Sequence, residues 1–267
     1  MKAEDLFSVN GRVVVITGGA NGLGFAMARA LVDNGAQVTI FDIDRQAGEA
    51  ARNVLAASGG SVRFEAVDLT DSAAVAAAFH RVVEAEGGLD VVFANAGVPA
   101  GPGFLTPSGQ RQAEGAIEAI PEELWNRVID INLTGVFITI RAAVPHLKAR
   151  GAGRIVVTTS TAATKTSPAV GTPYMASKAA IAHLVRQLSV ELARYNVQVN
   201  AIQPGPFLTR ITTPDLQASF EQGSPMHRAG RMEEIEGLAL FFSSKAASFV
   251  TGAQYTIDGG QLLGRGD

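Results

Sequence analysis

Tyr174-Met175-Ala176-Ser177-Lys178 sets a phenol and an amine four residues apart, which on a helix means one turn apart on one face. A tyrosine ordinarily titrates near pH ~10, too high for ready proton exchange at neutral pH, but a fixed cation nearby favours phenolate. Lys178 can therefore make Tyr174 an acid/base group. The spacing alone is common on helix surfaces, and its weight comes from its company. Ser160 follows the β-rich run Arg154–Thr159, where a strand-end hydroxyl can hold a substrate oxygen, and Thr161 competes for that part. Asn132 is an amide inside an otherwise apolar helical run; once buried it needs a partner, be it the reaction machinery or neighbouring backbone.

A second cluster has the chemistry of a dinucleotide site. Thr17-Gly18-Gly19-Ala20-Asn21-Gly22-Leu23-Gly24 follows an apolar run and opens a helical segment. Gly18 suits the tight turn, Gly22 admits a pyrophosphate to the backbone, and Gly24 allows close packing, while the helix N-terminus offers unpaired N–H groups. Asp42, ending the next strand before Ile43, can accept from both adenosine ribose hydroxyls and would repel a 2′-phosphate, which favours NAD over NADP. Arg45 is the nearest counter-charge, and Asp42 could instead cap the following helix, a task Asp44 can share. Asp68 suits the adenine amino group, with the Leu69 backbone alongside, and Asp71 reads as a helix cap.

Taken in order, the Gly18–Gly24 turn, Asn95-Ala96-Gly97, Asn132, Ser160, Tyr174-x-x-x-Lys178 and Pro204-Gly205 resemble the short-chain dehydrogenase/reductase family. The resemblance spans nearly the whole chain, to Ile257-Asp258-Gly259-Gly260. It implies a Rossmann-type fold with Tyr174 as general acid/base and Lys178 on the nicotinamide ribose. Ser160 would orient the reacting oxygen, and Asn132 would support a water-mediated proton relay to lysine. It further implies that Asn95, Ala96 and Gly97 support the sheet and line the adenosine ribose, and that Pro204-Gly205 leads to a carboxamide contact at Phe207 near Thr209. Asn21, Leu23 and Ile43 complete the expected cofactor contacts. Two departures stand out: the stretch between Gly97 and Asn132 is longer than is common in the family, and Ser160 precedes Tyr174 by 14 positions rather than the more usual 13.

The elements that must carry these residues alternate. Val13–Thr17, Gln37–Asp42, Val62–Asp68, Leu89–Ala94, Arg154–Thr159, Val197–Ile202 and Gln254–Ile257 read as strands, several of them continuous apolar runs that suit a sheet buried on both faces. Helical segments near 22–35, 44–57, 71–86, 121–149, 173–195 and 231–245 fall between them. This order predicts a single α/β domain over 1–267, a three-layer sandwich with a seven-stranded parallel doubly wound sheet and ligands at the strands' C-terminal ends. Residues 98–120 read as an inserted loop and 207–231 as a flap, both bordering the pocket. Pro99, Phe104, Leu105, Thr164, Thr172, Phe207, Leu208 and Met226 are candidate walls, with polar reach from Gln110, Arg111 and His227. The faces Val136/Ile140/Val144 and Ile181/Leu184/Leu188 suggest a homo-oligomer, and the resemblance makes it a tetramer.

Composition removes other classes. With 0 Cys there is no disulfide, thiolate metal site or cysteine nucleophile, and the 4 His lack metal-type pairing, so no metal is expected. A net charge of -3 without a basic run argues against nucleic acid. No run of eighteen apolar residues calls for a membrane, and a cytoplasmic setting is expected. The expected activity is NAD-dependent hydride transfer between a secondary alcohol and its ketone, on a polyol, sugar or cyclic hydroxy compound. The alternatives are an epimerase or eliminase working through a transient ketone, and a non-catalytic nucleotide sensor.

Overall fold

A computed structural model describes residues 2–208 and 214–264. Seven strands, β1 (Val13–Thr17), β2 (Gln37–Asp42), β3 (Val62–Ala66), β4 (Val91–Ala94), β5 (Gly153–Thr158), β6 (Val197–Pro204) and β7 (Gln254–Ile257), form one sheet. The order is β3-β2-β1-β4-β5-β6-β7, and every pair is parallel. The order reverses between β1 and β4, and this switch point opens a crevice at the C-terminal ends of the strands.

Alternate residues of each central strand feed two cores. Val13 and Val15 pack with Phe79 and Val82 of α4 (Ser72–Glu86) on one face. Val14 and Ile16 pack with Met27 and Leu31 of α2 (Gly22–Asp33) on the other. Both faces are dry, which is why the strands read as unbroken apolar runs. Around them lie α1 (Ala3–Leu6), α3 (Arg45–Ala56), α5 (Glu122–Ile129), α6 (Gly135–Arg150), α7 (Thr172–Leu192), α8 (Pro214–Gly223) and α9 (Glu236–Ser243).

Several boundaries differ from the sequence expectation, each for a local reason. Strand β3 stops at Ala66 rather than Asp68, because the Asp68 carboxylate takes the Thr70 N–H and hydroxyl and turns the chain. Strand β4 begins at Val91 rather than Leu89, and β5 runs one residue earlier than expected. Strand β6 extends to Pro204, paired with β7 to its end. The expected helix 121–149 is two helices joined through a π turn, Asp130–Thr134, which contains Asn132. By length and composition Glu122–Arg150 could cross a membrane, yet Val136, Ile140, Ala143 and Leu147 of this run sit in the sheet core.

The segment 98–120 is built rather than loose. Leu105 pairs with Arg111 and Pro102 with Val170, so residues 102–112 form a small hairpin clipped to the segment before α7. Gly103 and Leu105 N–H donate to Ala169 and Pro168 carbonyls at 3.3 and 3.0 Å. Two 3-10 turns, Ala113–Gly115 and Ile117–Ala119, return the chain to α5.

Candidate active site

The switch-point crevice is a cleft of about 1940 Å³. At one end lies the glycine turn. Gly18 and Gly22 have φ of 64° and 56°, the left-handed region that a β-carbon disfavours. A β-carbon on Gly24 would overlap the Gly18 carbonyl, so α2 can start against the turn only with glycine there. The helix starts at Gly22 with an N-cap, Asn21, whose side chain makes no capping bond; Asn21 and Leu23 line the cleft.

Asp42 is not the cap of α3. That part falls to Asp44, which accepts from Ala47 N–H, as Asp71 caps α4. Asp42 instead accepts from Ala20 N–H at 3.2 Å and Asp44 N–H at 3.1 Å, which fixes its carboxylate above the glycine turn with exposed Ile43 beside it. Asp68 and Leu69 border the same end.

The floor is tied by Asn95, which the resemblance assigned to supporting the sheet, and by Thr17 and Thr158, which the sequence offered only as turn or strand-end positions. Thr17 Oγ1 accepts from Asn95 and Ala96 N–H. Asn95 Nδ2 donates to the Thr17 and Gly18 carbonyls, and Asn95 Oδ1 accepts from Thr158 Oγ1 at 2.9 Å. One amide thus joins β1, β4 and β5. A polar residue closing an otherwise apolar strand, as Thr17 and Thr158 do, was the available signal.

At the other end Ser160, Tyr174 and Lys178 come together. Ser160 Oγ accepts from Ala162 N–H at 3.1 Å, which leaves its own proton to donate. Thr161 also lines the cleft. Lys178 is 3% exposed and donates to the Thr158 carbonyl at 2.9 Å, with its ammonium 5.5 Å from the Tyr174 ring centre. Burial pushes its pKa down to about 8. Burial also raises the Tyr174 phenol, with the Ser160 hydroxyl pulling the other way. In the protein alone, desolvation therefore outweighs the lowering that a nearby lysine was expected to bring.

Asn132 lies under the cleft, fully buried. Its Oδ1 accepts from Val98 N–H at 2.7 Å and its Nδ2 donates to the Val98 carbonyl at 2.9 Å. This is the backbone partnership that a buried amide requires. Ser177 links the same amide to the Tyr174 carbonyl. A β-carbon on Gly97 would lie 3.2 Å from Asn132 Oδ1 and 3.6 Å from Lys178 Nζ, so glycine keeps open the space between amide and ammonium.

Pro204, Gly205 and Phe207 reach the cleft from β6; Phe207 pairs with Gly230, which anchors the start of the flap. Thr209 lies outside the described residues. Of the expected walls, Pro99, Leu105, Phe207 and Leu208 line the cleft. Phe104, Thr164, Thr172, Met226, Gln110, Arg111 and His227 do not, because the hairpin presents its tip, Thr106 to Gly109, and the segment after Ser160 presents Lys165 to Val170.

The family model described as Enoyl-(Acyl carrier protein) reductase matches residues 18–261. The chain is 35% identical to the 5-keto-D-gluconate 5-reductase of Escherichia coli K12, over 97% of this chain and 99% of that protein. It is also 35% identical to the cis-4-hydroxycyclohexanecarboxylate dehydrogenase of Sinomonas cyclohexanicum, over 93% and 96%. Among solved structures, a short-chain type dehydrogenase/reductase from Mycobacterium marinum superposes with a TM-score of 0.87 at 32% identity, over 98% and 99% of the two chains. An NAD+-bound xylitol dehydrogenase gives 0.85 at 30%, over 94% and 99%. A gluconate 5-dehydrogenase from Burkholderia cenocepacia J2315, in complex with NADP and tartrate, gives 0.87 at 29%, over 98% and 99%. The chain belongs to the short-chain dehydrogenase/reductase family, as an oxidoreductase acting at CH–OH carbons.

Proposed function

We propose that this protein interconverts a secondary alcohol and its ketone with NAD(H), using Tyr174 as the acid/base. The observation that carries the reading is one cleft with a glycine turn and Asp42 at one end and Ser160, Tyr174 and Lys178 at the other. Its volume exceeds that of a usual single-ligand pocket and leaves room for a dinucleotide beside a small substrate.

The residues fit a nicotinamide dinucleotide. Gly24 brings the N-terminus of α2 against the turn, and the fixed Asp42 carboxylate suits a ribose diol and opposes a 2′-phosphate. Relatives of known structure hold NAD+ in one case and NADP in another, so Asp42 is the residue on which the preference for NAD rests. Bound there, the dinucleotide supplies the hydride acceptor or donor. Ser160, whose Oγ accepts from Ala162 N–H and whose hydroxyl meets the Tyr174 phenol, holds the substrate oxygen beside that phenol. Tyr174 takes the hydroxyl proton as the carbinol carbon loses hydride, and returns it in the reverse direction. Lys178, held on Thr158, would hold the nicotinamide ribose, and it keeps a positive charge beside the phenol. Asn132 acts from beneath as a positioning residue, and the gap above Gly97 suits a proton relay between it and Lys178.

The relatives named for a keto sugar acid and a hydroxycyclohexane acid support a polyol, sugar or cyclic hydroxy substrate. A homo-oligomer, a tetramer in this reading, is also proposed. It finds support in a shallow apolar groove between α6 and α7 lined by Leu133, Phe137 and Leu184. Absorbance of reduced nicotinamide with either cofactor, across sugars, polyols and cyclic alcohols, tests the activity directly.

A further inference from the structure

We propose that Lys165 reads a carboxylate on the substrate, so that the preferred substrates are hydroxy acids and the corresponding keto acids. This rests on the oxidoreductase reading above and narrows its substrate class.

The formal charges of the cleft come from several elements. Asp42 and Asp68 border the glycine-turn end, Glu123, Arg127 and Asp130 come from α5 and the π turn, and Arg29 is paired with Glu236. On the segment that follows Ser160, Thr161 to Val170, Lys165 is the one charged residue lining the cleft, and on α7 it is Lys178, buried on Thr158. Lys165 has no carboxylate within ion-pair distance among the described residues. Its Nζ donates to the main-chain carbonyl of Gln261 at 3.1 Å, a neutral acceptor that leaves two of its three N–H groups to offer. An exposed ammonium without a carboxylate partner, on the wall that follows Ser160, is complementary to an anion.

The main chain on both sides of Lys165 is fixed. Ala163 N–H donates to Ser160, and Thr164 and Lys165 N–H donate to Thr161, so the lysine rides a turn that starts at the Ser160 hydroxyl. Three residues further on, Pro168 and Ala169 are held by the hairpin through Leu105 and Gly103. The hairpin in the long Gly97–Asn132 stretch thereby acquires a purpose: it presents the lysine-bearing segment without further ordering when substrate arrives.

The test is steady-state kinetics on a series of secondary hydroxy acids, each beside its primary amide, for wild type, Lys165→Met and Lys165→Arg. Wild type is expected to favour acid over amide in kcat/KM. Lys165→Met is expected to shrink that acid-to-amide ratio by about tenfold or more, through KM for the acid, as loss of a charge-assisted hydrogen bond would. Lys165→Arg should recover most of it. Equal kcat/KM for acid and amide in wild type, or a Met variant that lowers both alike, overturns the proposal while leaving alcohol oxidation intact. If neither these compounds nor plain secondary alcohols turn over with either cofactor, the oxidoreductase reading itself fails. Calorimetric titration of the hydroxy acids then decides for Lys165: binding that the Met variant loses supports it, and binding that is absent or unaltered refutes it.

Discussion

At the residue scale the account makes two predictions beyond the acid/base tyrosine. Asp42→Ser removes the carboxylate fixed over the glycine turn by Ala20 and Asp44. The ratio of kcat/KM for NAD over NADP should fall by about 10- to 100-fold, the size of a lost charged hydrogen bond; an unaltered ratio places the discrimination elsewhere. Lys178 gives a pH signature. Folded, it loses its proton near 8, against 10.5 for an ordinary lysine. Between these values the unfolded chain binds more protons than the folded one, so this residue's contribution to stability rises with pH across that window and is lowest below it. The full rise is on the order of 3 kcal/mol. Urea unfolding of wild type, measured against Lys178→Met, should show the wild type gaining on the variant from about pH 8 to about pH 10. A constant difference would mean that Lys178 is not desolvated. Tyr174, Lys178, Ser160 and Asp42 were legible because their side-chain chemistry and spacing are local. Thr158 as the anchor of Lys178, and Val98 as the partner of Asn132, were not, since each contact joins a residue of a helical segment to the chain at or beyond a strand end, 20 and 34 positions away.

At the element scale, all seven strands were read from their sequence to within two residues at either end, most clearly where a sheet buried on both faces imposes an apolar run. The π turn at Asp130–Thr134 was not read: its weak helix formers Asp130, Asn132 and Thr134 alternate with Ile131 and Leu133 inside a longer helical run, and the interruption is defined by the backbone around Asn132. The 102–112 hairpin was read as loop because its stabilising bonds to Pro168 and Ala169 are non-local. The glycine that follows the hairpin, in the turn Ala113–Gly115, carries a testable consequence. A β-carbon on Gly115 would overlap the Gly103 carbonyl, so Gly115→Ala must push the hairpin off its seat. We expect a loss of about 1–3 kcal/mol in thermal or urea unfolding, together with a higher KM for substrate and little change in cofactor affinity. Loss of cofactor affinity instead would place the hairpin's role at the wrong end of the cleft.

At the scale of the whole molecule, the faces expected to lie at a subunit interface were partly misassigned. Val136, Ile140 and Ile181 are buried on the sheet, since one face of each long helix is consumed by the core. The exposed apolar surface is one helical step away, at Phe137, 45% exposed, beside Leu133 and Leu184. Light scattering should give an oligomer for wild type and a smaller species for Phe137→Glu; a wild-type monomer would remove the oligomer from the account. The sheet order, with its reversal between β1 and β4, gathers the glycine turn of the first strand unit and the Ser160–Lys178 group into one crevice.

The central claim is that Tyr174 exchanges the substrate proton in that crevice. The most direct test is the absorbance of reduced nicotinamide for wild type and Tyr174→Phe with NAD and a panel of secondary alcohols, alongside cofactor affinity for both proteins. The account predicts turnover in wild type, a fall of about 10²- to 10⁴-fold in kcat for the variant, and cofactor binding retained. A variant that turns over as fast as wild type would contradict it.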